Sequence, residues 1–203
     1  MSDPVVDRLK KDLQEKYGCH TVILYGSRAR GDHGPGSDYD IMGVREGGKK
    51  TRKAWAEGHA YVDLFVWPES ALREPDSSLL YMVDGMVLSE RGGWGSRFLQ
   101  RLREIHDGGP ELMPPEEKEF RRVWIRKMLN RVRVDDLEGR YRRTWLQNSL
   151  LEDYFVLRDL WYLGSKKGFE YLKAHDPSML ALFEDVYRNP ADLKALEFLA
   201  AKI

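Results

Sequence analysis

The chain has 203 residues, enough for one large domain or two small ones, each with its own core. Its 33 Lys and Arg balance 33 Asp and Glu, so no global positive field draws it onto nucleic acid, although local patches at Arg121-Arg122, Arg140 and Arg142-Arg143 survive the neutral total. Cys19 is the only cysteine, which excludes an intramolecular disulfide and a cysteine-based zinc site.

No apolar signal core opens the chain and no apolar run approaches membrane-spanning length, so a cytoplasmic location is expected. Residues 4–17 place Val5, Val6, Leu9, Leu13 and Tyr17 near helical spacing, with Asp3 as N-cap and Gly18 just past the end. Residues 21–25 are apolar, β-branched and ended by glycine, which predicts a buried strand. Gly26-Ser27 then turns the chain. Glycine there lets the backbone approach a ligand closely, and residues 27–30 are expected to begin a helix whose free N–H groups face an anion.

A glycine-rich loop, 31–36, leads into a strand at 37–44. Side chains two apart on a strand share a face, so Asp38 and Asp40 are expected to point together. Paired carboxylates raise each other's pKa unless a cation offsets the charge, and magnesium suits a few carboxylate oxygens plus phosphate and water. Residues 50–57 predict a further strand that turns at Gly58 into the run 60–66 as a hairpin. That run is apolar and aromatic except for Asp63. Beside the Asp38/Asp40 strand, Asp63 would complete a cluster able to hold two metals about 3.5–4 Å apart; the alternative is an acid paired to an arginine.

A short helix at 77–83, a short strand at 86–89 and an amphipathic helix at 94–106 follow. The stretch 107–115, rich in glycine and proline, is the clearest boundary. Beyond it the pattern is helical: 115 to about 134, then a long helix over 138–163 stopped by Gly164, then 168–174, 177–187 and 190–202. The last two are expected to open on a proline at an early helical position.

Gly26-Ser27, ten residues, Asp38-x-Asp40 and a later strand carrying Asp63 together resemble the signature of the nucleotidyltransferase superfamily that includes DNA polymerase beta. The resemblance is greatest to the small bacterial nucleotidyltransferases, of the minimal or aminoglycoside-modifying type, with a C-terminal helical domain. It implies an α+β N-terminal nucleotidyltransferase domain, a mixed sheet with flanking helices, over residues 1–108, and an all-α helical bundle over 114–203. It further implies that Asp38, Asp40 and Asp63 are the catalytic metal ligands for two Mg2+ ions. Ser27 and nearby backbone, Gly26 included, would meet the phosphates of a nucleoside triphosphate, ATP by expectation. Arg28 and Ser37 are placed beside them, and of Arg28 and Arg30 one is expected at a phosphate and the other on a solvated face or in an ion pair.

The helical half is expected to form one wall of the active site. Arg158, Lys166 and Lys167 are its candidates for reaching triphosphate, Lys166 foremost. The resemblance to the aminoglycoside-modifying type implies a general base from this half, a place that Glu152 or Asp153, which lie on different helix faces, could occupy. His20 and His33 receive no role. The expected reaction moves a nucleoside monophosphate to an acceptor hydroxyl with release of pyrophosphate. A small-molecule acceptor is favoured by the charge balance, with an RNA end or a protein side chain as alternatives. A non-catalytic, antitoxin-like nucleotide-binding module is the reading from another class.

Overall fold

The computed structural model describes residues 3–203. The chain divides into two compact units, the first ending at Gly108 and the second running Gly109–Ile203.

The first unit is a mixed five-stranded sheet with helices. Helix α1 (Pro4–Tyr17) starts where the Asp3 carboxylate accepts from the amides of Val5 and Val6, and it ends at Gly18 in the left-handed region. Strands β1 (Thr21–Tyr25), β2 (Tyr39–Arg45), β3 (Thr51–Glu57), β4 (Ala60–Pro68) and β5 (Met86–Ser89) take the order β3-β4-β2-β1-β5. Only the β2–β4 pair is parallel.

Gly58, at φ 62°, occupies the first turn position of the β3–β4 hairpin, where a side chain would be strained. A five-residue helix α2 (Gly26–Arg30) follows β1 directly. After the 3-10 turn Ser77–Met82, helix α3 (Trp94–Asp107) closes the unit.

Leu9 and Leu13 of α1 pack on one face of the sheet against Val22, Leu24, Ile41, Val62, Leu64 and Val66. Gly43 on β2 is required there. A Cβ would lie 2.5 Å from Cys19 Sγ and 2.7 Å from Leu13 Cδ2. By the alternation of strand side chains, Tyr25, Asp40, Asp63 and Phe65 belong to the other face.

The second unit is all helical: α4 (Pro115–Val132), α5 (Leu137–Val156), α6 (Ser165–His175), α7 (Pro177–Arg188) and α8 (Leu193–Ala200). Its core joins Ile125, Met128 and Val132 of α4 to Leu146, Leu150 and Phe155 of α5, and to Phe183 and Leu196 of α7 and α8.

Three helix boundaries differ from the sequence pattern. Helix α5 stops at Val156 rather than near Leu163. There Leu160 N–H bonds to Phe155 O and Asp159 N–H to Val156 O, with Asp159 at φ 54°, so the C-terminal turn closes with an aspartate where glycine is usual. Asp159 is held in that conformation because its carboxylate accepts from Met113 N–H and pairs with Lys118. Beyond it Leu160 and Tyr162 pack against the same core without being helical, which is why the apolar density there reads as helix. Gly164 precedes α6 instead of ending α5. Likewise Pro190 does not open α8; the Asp192 carboxylate caps it by accepting from Lys194 and Ala195 N–H.

Candidate active site

Three strands bring one row of side chains together. Tyr25 on β1 is the register partner of Asp40 on β2, and Asp40 is the partner of Asp63 on β4. The parallel β2–β4 pairing sets the two carboxylates side by side on the face opposite α1. Asp38 sits just before β2, exposed, and its Oδ1 accepts the Tyr61 N–H at 3.2 Å.

Asp40 is half-buried. Burial is the largest cause holding its carboxyl above the ordinary aspartate range, Asp38 and Asp63 add to it, and Arg30 opposes. Tyr25 is buried beside the same carboxylates and its hydroxyl is pushed well up, first by burial and then by Tyr81. The Tyr25 and Tyr81 rings meet edge to face at 5.5 Å, and Tyr81 remains 40% exposed.

Gly26 stands at φ 72°, and a Cβ there would lie 2.4 Å from Asp40 Oδ2. The glycine therefore both permits the turn and leaves the room that the Asp40 carboxylate occupies. Ser27 is the second residue of α2, and its carbonyl accepts the Gly31 and Asp32 N–H groups as the helix closes.

Arg28 and Ser37, placed among phosphate contacts by the resemblance, are engaged within the loop. Arg28 donates to the carbonyls of Ser37 and Asp38 and to Asp3, and its guanidinium lies 3.6 Å from the Tyr39 ring centroid. With its side chain 8% exposed, it acts as a clamp on the chain that delivers Asp38. Ser37 Oγ accepts Gly34 N–H and fixes the turn before it.

The three carboxylates do not close into a cage. Among the described residues, no group of three or more His, Cys, Asp and Glu side chains is gathered so as to hold a metal ion. The reason is visible in their partners: Asp38 faces the Tyr61 amide, and both oxygens of Asp63 are forked by Arg52, Nε to Oδ1 and Nη2 to Oδ2 at 2.8 Å each. The donor set itself suits magnesium, being hard carboxylate oxygens with the space beside Asp40 kept open by Gly26.

Arg52 and Tyr81 are the neighbours that strand and helix patterns did not single out. The hairpin register pairs Ala54 with Asp63, so Arg52, two residues away, reaches Asp63 diagonally. Counting back from the Gly58 turn would have found it. Arg30 pairs with Asp32 at 3.0 Å and approaches Asp84 at 4.0 Å.

In the helical unit, Asp153 is buried and pairs with Arg121 at 2.8 Å, while Glu152 is exposed. Arg158 donates to the carbonyls of Tyr154 and Lys202. Lys166 and Lys167 lie in the first turn of α6. His20 is buried, its Nε2 2.9 Å from Glu69.

No curated protein sequence matches the chain. Among solved structures, a nucleotidyltransferase-like protein from Exiguobacterium sibiricum 255-15 is similar at 14% identity and a TM-score of 0.43, over 97% of this chain and 75% of that one. The family model described as "Nucleotidyltransferase domain" matches residues 6–81, the segment that contains α2, Asp38, Asp40 and Asp63. Residues 6–81 are thus matched as a nucleotidyltransferase domain, which supports a transferase activity.

Proposed function

We propose that the chain transfers a nucleoside monophosphate from a nucleoside triphosphate, ATP by resemblance, to a hydroxyl of a small acceptor, with release of pyrophosphate. The observation that carries this reading is the direct register of Asp40 with Asp63 across a parallel strand pair, with Asp38 at the strand entrance and Gly26 against Asp40. The Asp40 carboxyl is held above its ordinary range by burial and by Asp38 and Asp63, and a divalent cation beside it would offset that crowding of charge.

In this reading Asp38 and Asp40 would hold both metals, and Asp63 the one that faces the acceptor. Magnesium bound there would neutralise phosphate charge and lower the pKa of the acceptor hydroxyl. The backbone at Gly26-Ser27 lies where the chain approaches the triphosphate, and Arg30 supplies positive charge beside Asp40. Arg28 and Ser37 keep the 31–38 loop in place, so that Asp38 stays in line with Asp40. Positioning and preorganised charge then supply most of the rate, as is general for phosphoryl-group chemistry.

The small acceptor is favoured by the balance of 33 basic and 33 acidic residues, since a polynucleotide is held through many phosphates at once. The test is incubation with magnesium, each α-labelled triphosphate and panels of hydroxyl acceptors, including short RNA. Acceptor-dependent pyrophosphate release that vanishes in Asp40→Asn is expected. No release with any triphosphate and acceptor, in protein that binds triphosphate, would leave the non-catalytic nucleotide-binding module as the better account.

A further inference from the structure

The helical unit contains a groove of about 510 Å3 between α4 and α5. Arg121 pairs with Asp153 at 2.8 Å and Trp124 meets Trp145, so rising numbers on α4 oppose falling numbers on α5 and the helices run antiparallel. Residues 117, 120, 121 and 124 form one stripe of α4, and 145, 149, 152 and 153 form the facing stripe of α5. Sequence spacing alone would not have paired these stripes.

The two ends of the groove differ in chemistry. Asp153, 6% exposed, is already neutralised by Arg121. Glu117 and Glu152 are exposed at the same end, and among the described residues neither has an ion-pair partner. At the other end the Trp124 and Trp145 rings meet edge to face at 4.4 Å, with Trp145 45% and Phe120 71% exposed. An interior-facing aromatic pair would be covered; here it forms an open wall.

We propose that this groove binds a small organic cation, its ammonium or guanidinium group between Glu117 and Glu152 and its apolar or planar body along Trp124 and Trp145. An anion would meet two uncompensated carboxylates. A neutral apolar ligand would strip water from them without return. A bare metal ion lacks a third ligand, since no metal-holding group is found among the described residues. A cation with an apolar body satisfies both ends, through charge pairing at one and ring-face attraction at the other. None of these residues lies within the nucleotidyltransferase domain at 6–81, so the inference does not depend on the proposed reaction.

The test is titration calorimetry of the full chain with benzyltrimethylammonium as probe, with benzyl alcohol and benzoate as neutral and anionic controls. Saturable binding of the cation is expected, with none for benzoate. Glu117→Gln and Glu152→Gln should each weaken it about threefold to fivefold, the range for a solvent-accessible charge pair. Trp145→Leu should weaken it further while the thermal melt stays cooperative. Absence of saturable binding at millimolar probe, equal binding of benzyl alcohol, or indifference to both Glu→Gln changes overturns the proposal. So does a sedimentation result in which the chain is a dimer that Trp145→Leu dissociates, because the groove would then be a contact between copies.

Discussion

The guanidinium of Arg52 meets both carboxylate oxygens of Asp63 at 2.8 Å, which leaves this carboxylate of the row held by an internal cation. Arg52 is 64% exposed and reaches Asp63 from a neighbouring strand, so the pair is held weakly enough to exchange. A divalent ion held by Asp63, as proposed, would therefore compete with Arg52 for the same oxygens. Arg52→Gln is expected to tighten Mn2+ binding severalfold in titration calorimetry without triphosphate. Unchanged or weaker Mn2+ affinity in a folded variant would refute the competition.

Asp40 lies under the charges of Asp38 and Asp63 as well as being half-buried. Asp40→Asn is expected to lose transfer while melting at the same temperature or higher in metal-free buffer, because the like-charge repulsion is relieved. Wild-type transfer by this variant, or a lower melting temperature in chelator, would count against the arrangement.

Gly26 occupies a backbone region that side chains rarely adopt and abuts Asp40 Oδ2. Gly26→Ala should destabilise the chain by about 1 kcal/mol or more, through the strained φ and the displaced carboxylate. It should also reduce transfer far more than Ser27→Ala does. Equal melting temperatures for Gly26→Ala and wild type would show that the turn yields without strain.

For Asp153, burial and the Arg121 ion pair act in opposite directions, and burial is the larger, so its carboxyl is held above the ordinary value of 3.8. The folded state then binds the proton more tightly than the unfolded chain. Stability from this group is full below the ordinary value and is lost as pH rises toward the raised folded value. The melting temperature of wild type minus that of Asp153→Asn should therefore fall as pH rises through that window. A difference that grows with pH would mean that the ion pair outweighs burial.

The turn after α5 gives a ranking. Asp159 has φ 54° and its carboxylate holds Met113 N–H and Lys118. Both Asp159→Ala and Asp159→Gly lose that anchor, but only alanine keeps the unfavourable backbone, so Asp159→Gly should melt above Asp159→Ala. The reverse order in thermal melts would show that backbone strain at this turn is negligible.

What the sequence determined by itself was local. The Asp3 cap and Gly18 stop of α1, the buried strand 21–25 and its glycine turn, and the hairpin at Gly58 rest on the chemistry of a few neighbouring residues. The oddity of Asp63 in an apolar strand was equally visible. Tertiary structure decided the rest. Only strand pairing puts Asp40 directly beside Asp63, because that parallel register joins segments more than twenty positions apart. Only the hairpin diagonal gives Asp63 to Arg52, and only the path of the 31–38 loop commits Arg28 to carbonyls, since a guanidinium bonds to whatever acceptors the fold brings near. The end of α5 was hidden for a related reason: apolar residues look alike in a helix and in an irregular segment packed on the core, and the aspartate that turns the chain is stabilised by Met113 and Lys118, more than forty positions earlier in the chain.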